Sequence, residues 1–381
     1  MEHRVLVIGG GVAGSSCALR LRSRGIDVHV AEKLSFPRAK VCGCCIGGVG
    51  LDLLEQLSLR SWVETHGLKT SKWSGSIGGT RVELSLPDGI AISRESLDTE
   101  MLRRAADAGA EIFSPVSARV DQLLPDSVTT SLSASEGTSW MERYAAVVVA
   151  SGLNASGSQR LLPWVEKPNG PFGAAFFARS DSLDTGTIYM ACDDDGYVGL
   201  VRLEDNRVDI AAALSSRRSR EQQIHEMRDA TSAGGPGGFG SAKDRIDRIL
   251  MHSRLQHWQY HDPTPVMTTP PLRRLRRPGV GRLIAIGDAA GYVEPFTGEG
   301  MTWGILSGIA AADLIADSSN DLSGLGERWS QQLPALLRKR RLACRAVTSL
   351  LRSPLGRRAI AATLSQWPGL AAPLIHHLNR T

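Results

Sequence analysis

The glycines at 9, 11 and 14 fall between an apolar run, RVLVI (4–8), and a segment with helical spacing, VAGSSCALRLRSRG (12–25). A second short apolar run, DVHVAEK (27–33), follows. Few folds accommodate that order. Two buried strands joined by one amphipathic helix form a β-α-β unit, which requires a parallel sheet with a helix packed on its face. The glycine pattern Gly9-x-Gly11-x-x-Gly14 sits at the strand-to-helix turn of that unit. There Gly9 permits the tight turn, Gly11 lets backbone approach a pyrophosphate, and Gly14 lets the helix lie close on the strand. Gly9, Gly11, Ala13 and Gly14 thus read as contacts to a dinucleotide. Glu32, at the end of the second strand, reads as the acceptor for ribose hydroxyls. An acid at that position disfavours a 2′-phosphate, which leaves FAD or NAD rather than NADP.

The chain has 381 residues, 42% hydrophobic and 22% charged, enough for two or three packed units. The start, MEHRVLVIGG, enters a strand directly and lacks a signal-peptide pattern. The longest mostly apolar run, 301–316, is short for a membrane span and carries Asp313, so a buried helix is expected. These features read as a cytoplasmic protein with reduced thiols. Net charge is +5, but the segment from Glu327 onward carries +9, which leaves −4 for the body. A body of that sign is no nucleic-acid surface.

Further along, short strands are expected over 73–93, broken at Gly-Gly and Pro-Asp-Gly turns. A helix over 93–110 begins at Ser93 or Ser96, and strands are expected at 111–122, 127–133 and 140–150. Alternating segments at 172–178, 187–191, 196–203 and 207–214 suggest an antiparallel sheet, and 231–241 is a glycine-rich connection. Near 282–288, RLIAIGD is another buried strand. It delivers Gly287 and Asp288, then Pro295, then Gly298 and Gly300 at the mouth of a long helix.

Together with the N-terminal glycines, this late segment resembles the para-hydroxybenzoate hydroxylase-type flavoproteins, and in wording their geranylgeranyl reductase-like branch. The resemblance implies an α/β fold in which a discontinuous Rossmann-like FAD-binding domain (1–72, 93–160 and 265–325) carries an inserted antiparallel β-sheet substrate domain (73–92 and 161–264). A basic helical C-terminal region (326–381) completes it. It also implies that Gly287 and Asp288 bind FAD, Asp288 through the ribityl chain, and that the backbone around Gly298, Gly300 and Met301 meets the pyrimidine edge of the flavin ring. The helix N-terminus there carries partial positive charge suited to an anionic reduced ring. Arg94, in SRESLDTEMLRR, matches the family's contact to the nucleotide half or ribityl chain. Gly152 stands as a close-approach glycine where the family often has Asp-Gly, so no carboxylate is assigned there.

The stretch RAKVCGCCIGG (38–48) matches the branch's Arg-x-Lys-x-Cys-Gly pattern through Arg38, Lys40, Cys42 and Gly43. It implies cation contacts to FAD from this loop, with Cys42 beside the ring. Cys-x-Cys-Cys lacks the spacing and the fourth ligand of a zinc site, so no metal is expected. Neighbouring cations make Cys42 a candidate reactive thiol. The branch's aromatic stretch over the substrate is reduced here to Tyr197, a candidate contact or simply a packing residue. The halogenase Trp-x-Trp box is missing, which disfavours chlorination.

Three functional readings stand at this level. The first is an FAD-dependent double-bond reductase acting on a hydrophobic small molecule, with NAD(P)H as a transient donor. The second is an aromatic monooxygenase using NAD(P)H and O₂. The third is a non-catalytic flavin-binding partner. The basic run Arg338–Arg341 reads either as the solvated face of a helix or as peripheral contact with an anionic membrane.

Overall fold

The computed structural model describes residues 4–154, 156–166, 170–216, 241–253, 255, 259–293, 296, 298–318, 320–373 and 375. Pro295, His257 and most of the glycine-rich 231–241 segment lie outside these.

The first glycine turn joins β1 (Val5–Ile8) to α1 (Val12–Ser23), which returns through β2 (Val28–Ala31). All four residues of β1 and of β2 are buried, as expected of strands covered on both faces. β1 lies between β2 and β10 (Ala146–Val149), both parallel to it. The sheet extends to β6 (Glu111–Phe113) on one side and to β19 (Leu283–Ala285) and β18 (Gly279–Val280) on the other, in the order β18-β19-β10-β1-β2-β6. The ends of β1, β10 and β19 therefore bring Gly9, Ala150 and Gly287 to one rim. That rim is where ligands bind in open parallel sheets.

Where the sequence suggests one strand over 140–150, the chain makes two. β9 (Ser139–Tyr144) pairs with β8 (Val128–Ala134), which pairs with β7 (Val116–Leu123) in a separate three-stranded sheet. The burial alternates in β9 and is continuous in β10, so the change of pattern at Ala145 marks the change of sheet.

The second large sheet has eight strands in the order β16-β12-β15-β14-β13-β4-β5-β3. They are β16 (Met267–Pro271), β12 (Phe172–Ala178), β15 (Val208–Leu214), β14 (Gly196–Arg202), β13 (Thr187–Asp193), β4 (Leu68–Ile77), β5 (Thr80–Ala91) and β3 (Cys45–Ile46). Pairing is antiparallel except between β13 and β4. The sheet thus reaches beyond the segments 73–92 and 161–264. It begins at Leu68, ends at Pro271, and recruits Cys45–Ile46 from the cysteine loop. The Pro-Asp-Gly at 87–89 is not a turn but lies within β5, opposite a register shift between Thr70 and Lys72. A small third sheet joins β11 (Val165–Glu166), β17 (Arg274–Leu275) and β20 (Gly291–Tyr292).

One face of the eight-stranded sheet is sealed by α5 (Ala242–His252), which sets Ile246, Ile249 and Leu250 against Phe176, Val198 and Ile210. The other face looks toward the nucleotide-binding sheet. Helices α2 (Gly48–Glu55) and α3 (Arg60–His66) fill the junction. The helix α4 (Arg94–Asp107) starts there, capped by Ser93, whose hydroxyl accepts from the Ser96 N–H at 3.0 Å. Glu204, just after β14, accepts from the Ser93 N–H and from the hydroxyls of Ser93 and Ser96, which pins the start of α4 to the sheet.

Helix α6 (Gly300–Asp317) is apolar on most of its surface and correspondingly buried. It crosses α1 closely because Gly308 has no side chain: a Cβ there would lie 2.5 Å from the Ala13 carbonyl oxygen. The tail forms α7 (Leu325–Arg352) and α8 (Pro354–Gln366). Trp329 of α7 is fully buried and donates its indole N–H to the Ala285 carbonyl at 2.8 Å. No helix among the described residues is long and apolar enough to cross a membrane.

Candidate active site

A single cavity of about 2010 Å³ runs from the β1–α1 turn, past the start of α6, to the exposed face of the eight-stranded sheet. Ordinary ligand sites occupy roughly 300–1,000 Å³, so this one has room for a dinucleotide and a second molecule.

At the nucleotide end, Gly9 adopts φ 110°, and a Cβ on it would lie 2.6 Å from the Ala150 carbonyl oxygen. Gly11 opens α1 without a side-chain cap, which leaves first-turn N–H groups for an anion. Three charged side chains close around it. Arg94 holds Asp98 through two hydrogen bonds of 2.9 Å, and Lys40 reaches the same carboxylate at 2.5 Å. Lys40 Nζ stands 3.0 Å from where a Gly11 Cβ would be, so the cluster lies at the pyrophosphate position. Burial works against the Asp98 charge, but Arg94 and Lys40 outweigh it and hold the carboxyl below its usual range. Burial lowers the Lys40 pKa, and Arg94 and Arg38 push the same way.

Glu32 is buried. It accepts from the Gly10 N–H at 2.8 Å, the Leu34 N–H at 3.0 Å and the Arg38 guanidinium at 3.1 Å. A carboxylate offers about four acceptor sites, so a ribose hydroxyl still finds one. Arg38 Nε is buried without a hydrogen-bond partner, a donor suited to the nucleotide. Gly152 lines the cavity at φ 67°, with open space where a Cβ would be. These residues fit FAD: they offer anion donors at one sheet rim, a ribose acceptor and glycine-bared backbone.

Past the nucleotide end, Asp288 lies in a 3-10 turn, Gly287–Ala290, on the cavity wall. Burial pushes its carboxyl up to about 6, against the cations Arg94, Lys40 and Arg341. Gly298, Gly300 and Met301 line the cavity at the N-terminus of α6, where the helix dipole favours negative charge by about 0.3–2 kcal/mol.

Opposite lies the cysteine loop. Cys44 takes a left-handed φ of 52°, which turns its N–H back onto Cys42 Sγ at 3.4 Å. Hydrogen bonding from Cys44 is the largest influence on Cys42. It joins Arg94 in holding that thiol well below the usual range, while burial opposes. Cys44 and Cys45 are pushed up, Cys45 chiefly by burial. At neutral pH, iodoacetamide is therefore expected to alkylate Cys42 ahead of its neighbours, and FAD to protect it. Peptide mapping showing Cys44 or Cys45 labelled first overturns that order.

A family model described as an FAD binding domain matches residues 2–137. The menaquinone reductase of Mycobacterium tuberculosis is 28% identical over 346 residues, covering 84% of this chain and 78% of that protein. The chloroplastic geranylgeranyl diphosphate reductase of Nicotiana tabacum is 25% identical over 359 residues, covering 86% and 71%. Among solved structures, the flavin-dependent brominase Bmp2 superposes with a TM-score of 0.77 at 18% identity, covering 98% of this chain and 92% of its own. The p-nitrophenol 4-monooxygenase PnpA from Pseudomonas putida gives 0.75 at 16% identity, covering 99% and 98%. This chain is an FAD-dependent oxidoreductase with the fold of the flavin-dependent hydroxylases.

Within this flavoprotein, the sequence-expected residues Gly9, Gly11, Ala13, Glu32, Arg38, Lys40, Cys42, Arg94, Gly152, Gly287, Asp288, Gly298, Gly300, Met301 and Tyr197 all line the one cavity. Gly14 does not. It faces the turn from behind, and its Cβ would lie 1.8 Å from the Gly9 carbonyl oxygen. Tyr197 lies on the sheet face with its ring edge-on to Phe296 at 5.0 Å.

Three residues escaped the sequence reading. Asp98 stands in the Arg-x-x-x-Asp spacing that was used only for Arg94. Arg340 and Arg341 depart from the solvated or membrane-facing run that the sequence suggests. Arg340 forms an ion pair with Glu299 just before α6. Arg341 is turned inward to the Gly291 carbonyl and acts on Asp288. A basic run on a helix looks the same in sequence whether it faces water or a cofactor site. Only Arg338 and Lys339 are exposed.

Proposed function

We propose that this flavoprotein reduces a carbon–carbon double bond in a long hydrophobic substrate, isoprenoid-like or polyketide-derived. The observation that carries this reading is the apolar half of the cavity. Trp73, Leu84 and Met190 line it on the sheet side, and Val347, Leu351, Ile360 and Leu364 on the side of α7 and α8. Burying one such side chain's worth of apolar surface is worth roughly 1.5–3 kcal/mol, enough to hold a chain of hydrocarbon units without many polar contacts. The full-length relatives named for menaquinone and geranylgeranyl diphosphate support the same class. When bound, the reduced flavin supplies hydride, and NAD(P)H is the proposed transient donor.

The test uses the purified yellow protein, reduced without O₂ and offered menaquinone or geranylgeranyl diphosphate. A product heavier by two hydrogens, which after reoxidation of any quinol remain in the isoprenoid chain, is expected. A product heavier by one oxygen, formed only when O₂ is admitted, would establish the monooxygenase instead. Cofactor reduction with no product from any donor would establish the non-catalytic partner.

Such a substrate resides in membranes, and the cavity opens where a membrane could be met. Leu350 and Leu370 line the cavity yet are 49% and 61% exposed, and Leu355 and Trp367 nearby are 75% and 61% exposed. We infer peripheral contact through this mouth rather than through Arg338–Arg341. Sedimentation with anionic vesicles is expected to carry the protein down, and a Leu355→Ser, Trp367→Ser variant to bind about tenfold or more weakly, on the transfer scale for exposed apolar side chains. Equal sedimentation of both proteins rejects this mouth as the contact.

A further inference from the structure

Among the described residues, the strands of the eight-stranded sheet contribute one charged side chain to the cavity lining. Along β15, Asp209, Ala211 and Ala213 line the cavity in a row, because alternate residues of a strand share a face. Directly across the ladder Asp209 faces Phe177 on one side and Val201 on the other. The aspartate is 1% exposed. Its Oδ1 is buried without a hydrogen-bond partner. A buried carboxyl with one oxygen unpartnered is costly to the fold unless something else uses it, since an unsatisfied buried polar group costs about 1–3 kcal/mol.

Resting on the reductase reading above, we propose that Asp209 is the proton donor of the reaction. Reduction of a carbon–carbon double bond adds one hydride and one proton. The hydride, with both electrons, is the cofactor's to give. The proton must come from the chain, at a point where the substrate carbon can reach it and water cannot. As hydride joins one carbon, the π electrons of the substrate take the proton from the Asp209 O–H, forming the second C–H bond and leaving a carboxylate. The carboxylate regains a proton from water when product departs.

The groups that face Asp209 favour the neutral acid this role requires. Burial is the strongest influence and raises its pKa well above the aspartate range. Cys42, from the cysteine loop, adds to this, whereas a hydrogen bond with Cys44 and the charge of Arg207 on β15's approach oppose it. Arg207 is engaged elsewhere, with Glu95, with Asp205 and over the Phe177 ring. Cys44 and Cys45 are themselves held neutral, so Asp209 is the carboxylic acid available on this face among the described residues.

The experiment compares wild type with Asp209→Asn, which keeps shape and removes the acid. The infrared difference spectrum of the FAD-loaded proteins at pH 7 is expected to show the carbonyl band of a neutral carboxylic acid, lost in the variant. Asp209→Asn is expected to bind FAD and accept electrons from dithionite as wild type does. It should form product about a hundredfold more slowly or worse, the usual contribution of a positioned acid. Asp209→Glu should recover part of that loss.

A carboxylate band in place of the neutral one overturns the assignment and leaves the reductase reading standing. So does product formation by Asp209→Asn within a few-fold of wild type. Failure of the variant to retain FAD makes Asp209 a structural residue and also overturns the proposal. If wild type yields only an oxygenated product, the reductase reading falls, and this role with it.

Discussion

A Gly14→Ala variant is expected to purify colourless. The added methyl would lie 1.8 Å from the Gly9 carbonyl oxygen, in the turn that cradles the cofactor, and 3.2 Å from the Ala150 side chain beside it on the sheet rim. Neither the helix nor the strand can give way, because β1 is buried on both faces and α1 is wedged under α6. The turn itself must move, and its backbone is what meets the pyrophosphate. Bound FAD should fall by at least an order of magnitude, about 1.4 kcal/mol or more. The ratio of flavin to protein absorbance after desalting measures it. Gly43→Ala is the control. Nothing lies within 4 Å of its Cβ position, so the variant should stay yellow and within about 0.5 kcal/mol of wild type. A yellow Gly14→Ala protein at full stoichiometry would show that the chain binds its cofactor in some other way.

An Asp98→Ala variant should be the most destabilised of the single charge removals. Asp98 is fully buried and is the shared partner of Arg94 and Lys40. Removing it leaves two cations facing each other in a low-dielectric site, and breaking a buried pair from one side typically costs about 3–5 kcal/mol. The loss should be greater in the FAD-free protein, since a bound diphosphate would neutralise part of that charge. Denaturant melts with and without FAD measure both effects, and a midpoint unchanged in either state contradicts the role.

The same cluster sets an acid limit. The folded-state pKa of Asp98 is lowered, so the stability it contributes is complete above the unfolded value of about 3.9. It is lost as pH falls through the lower folded value. Wild type should therefore lose more stability than Asp98→Ala between neutral pH and that range.

Much of this site could be read from the chain because its chemistry is local in sequence. Gly9, Gly11 and Gly14 lie within one turn of helix, and the strand that ends in Gly287 and Asp288 is an uninterrupted apolar run. The four alternating segments from 172 to 214 correspond closely to β12 through β15. What resisted reading was the relation between distant segments. Ala145 divides two sheets because one partner strand is β8 and another is β19. Glu204 caps α4 from more than 100 residues away. Arg340 and Arg341 look like surface charge until α7 is seen lying over Glu299 and Gly291.

Residue order alone determined that this protein holds a dinucleotide on a parallel sheet, and the resemblance of its late segment narrowed that dinucleotide to FAD. Strand periodicity, glycine turns and an acid at a set spacing act through neighbours a few residues away. Only the tertiary structure decided which side chains meet across the cavity: Asp98 between two cations, Cys42 against Arg94, and Asp209 beside the cysteine loop. Those meetings depend on how sheets and helices from opposite ends of the chain pack, and packing depends on the shape and burial of the whole molecule.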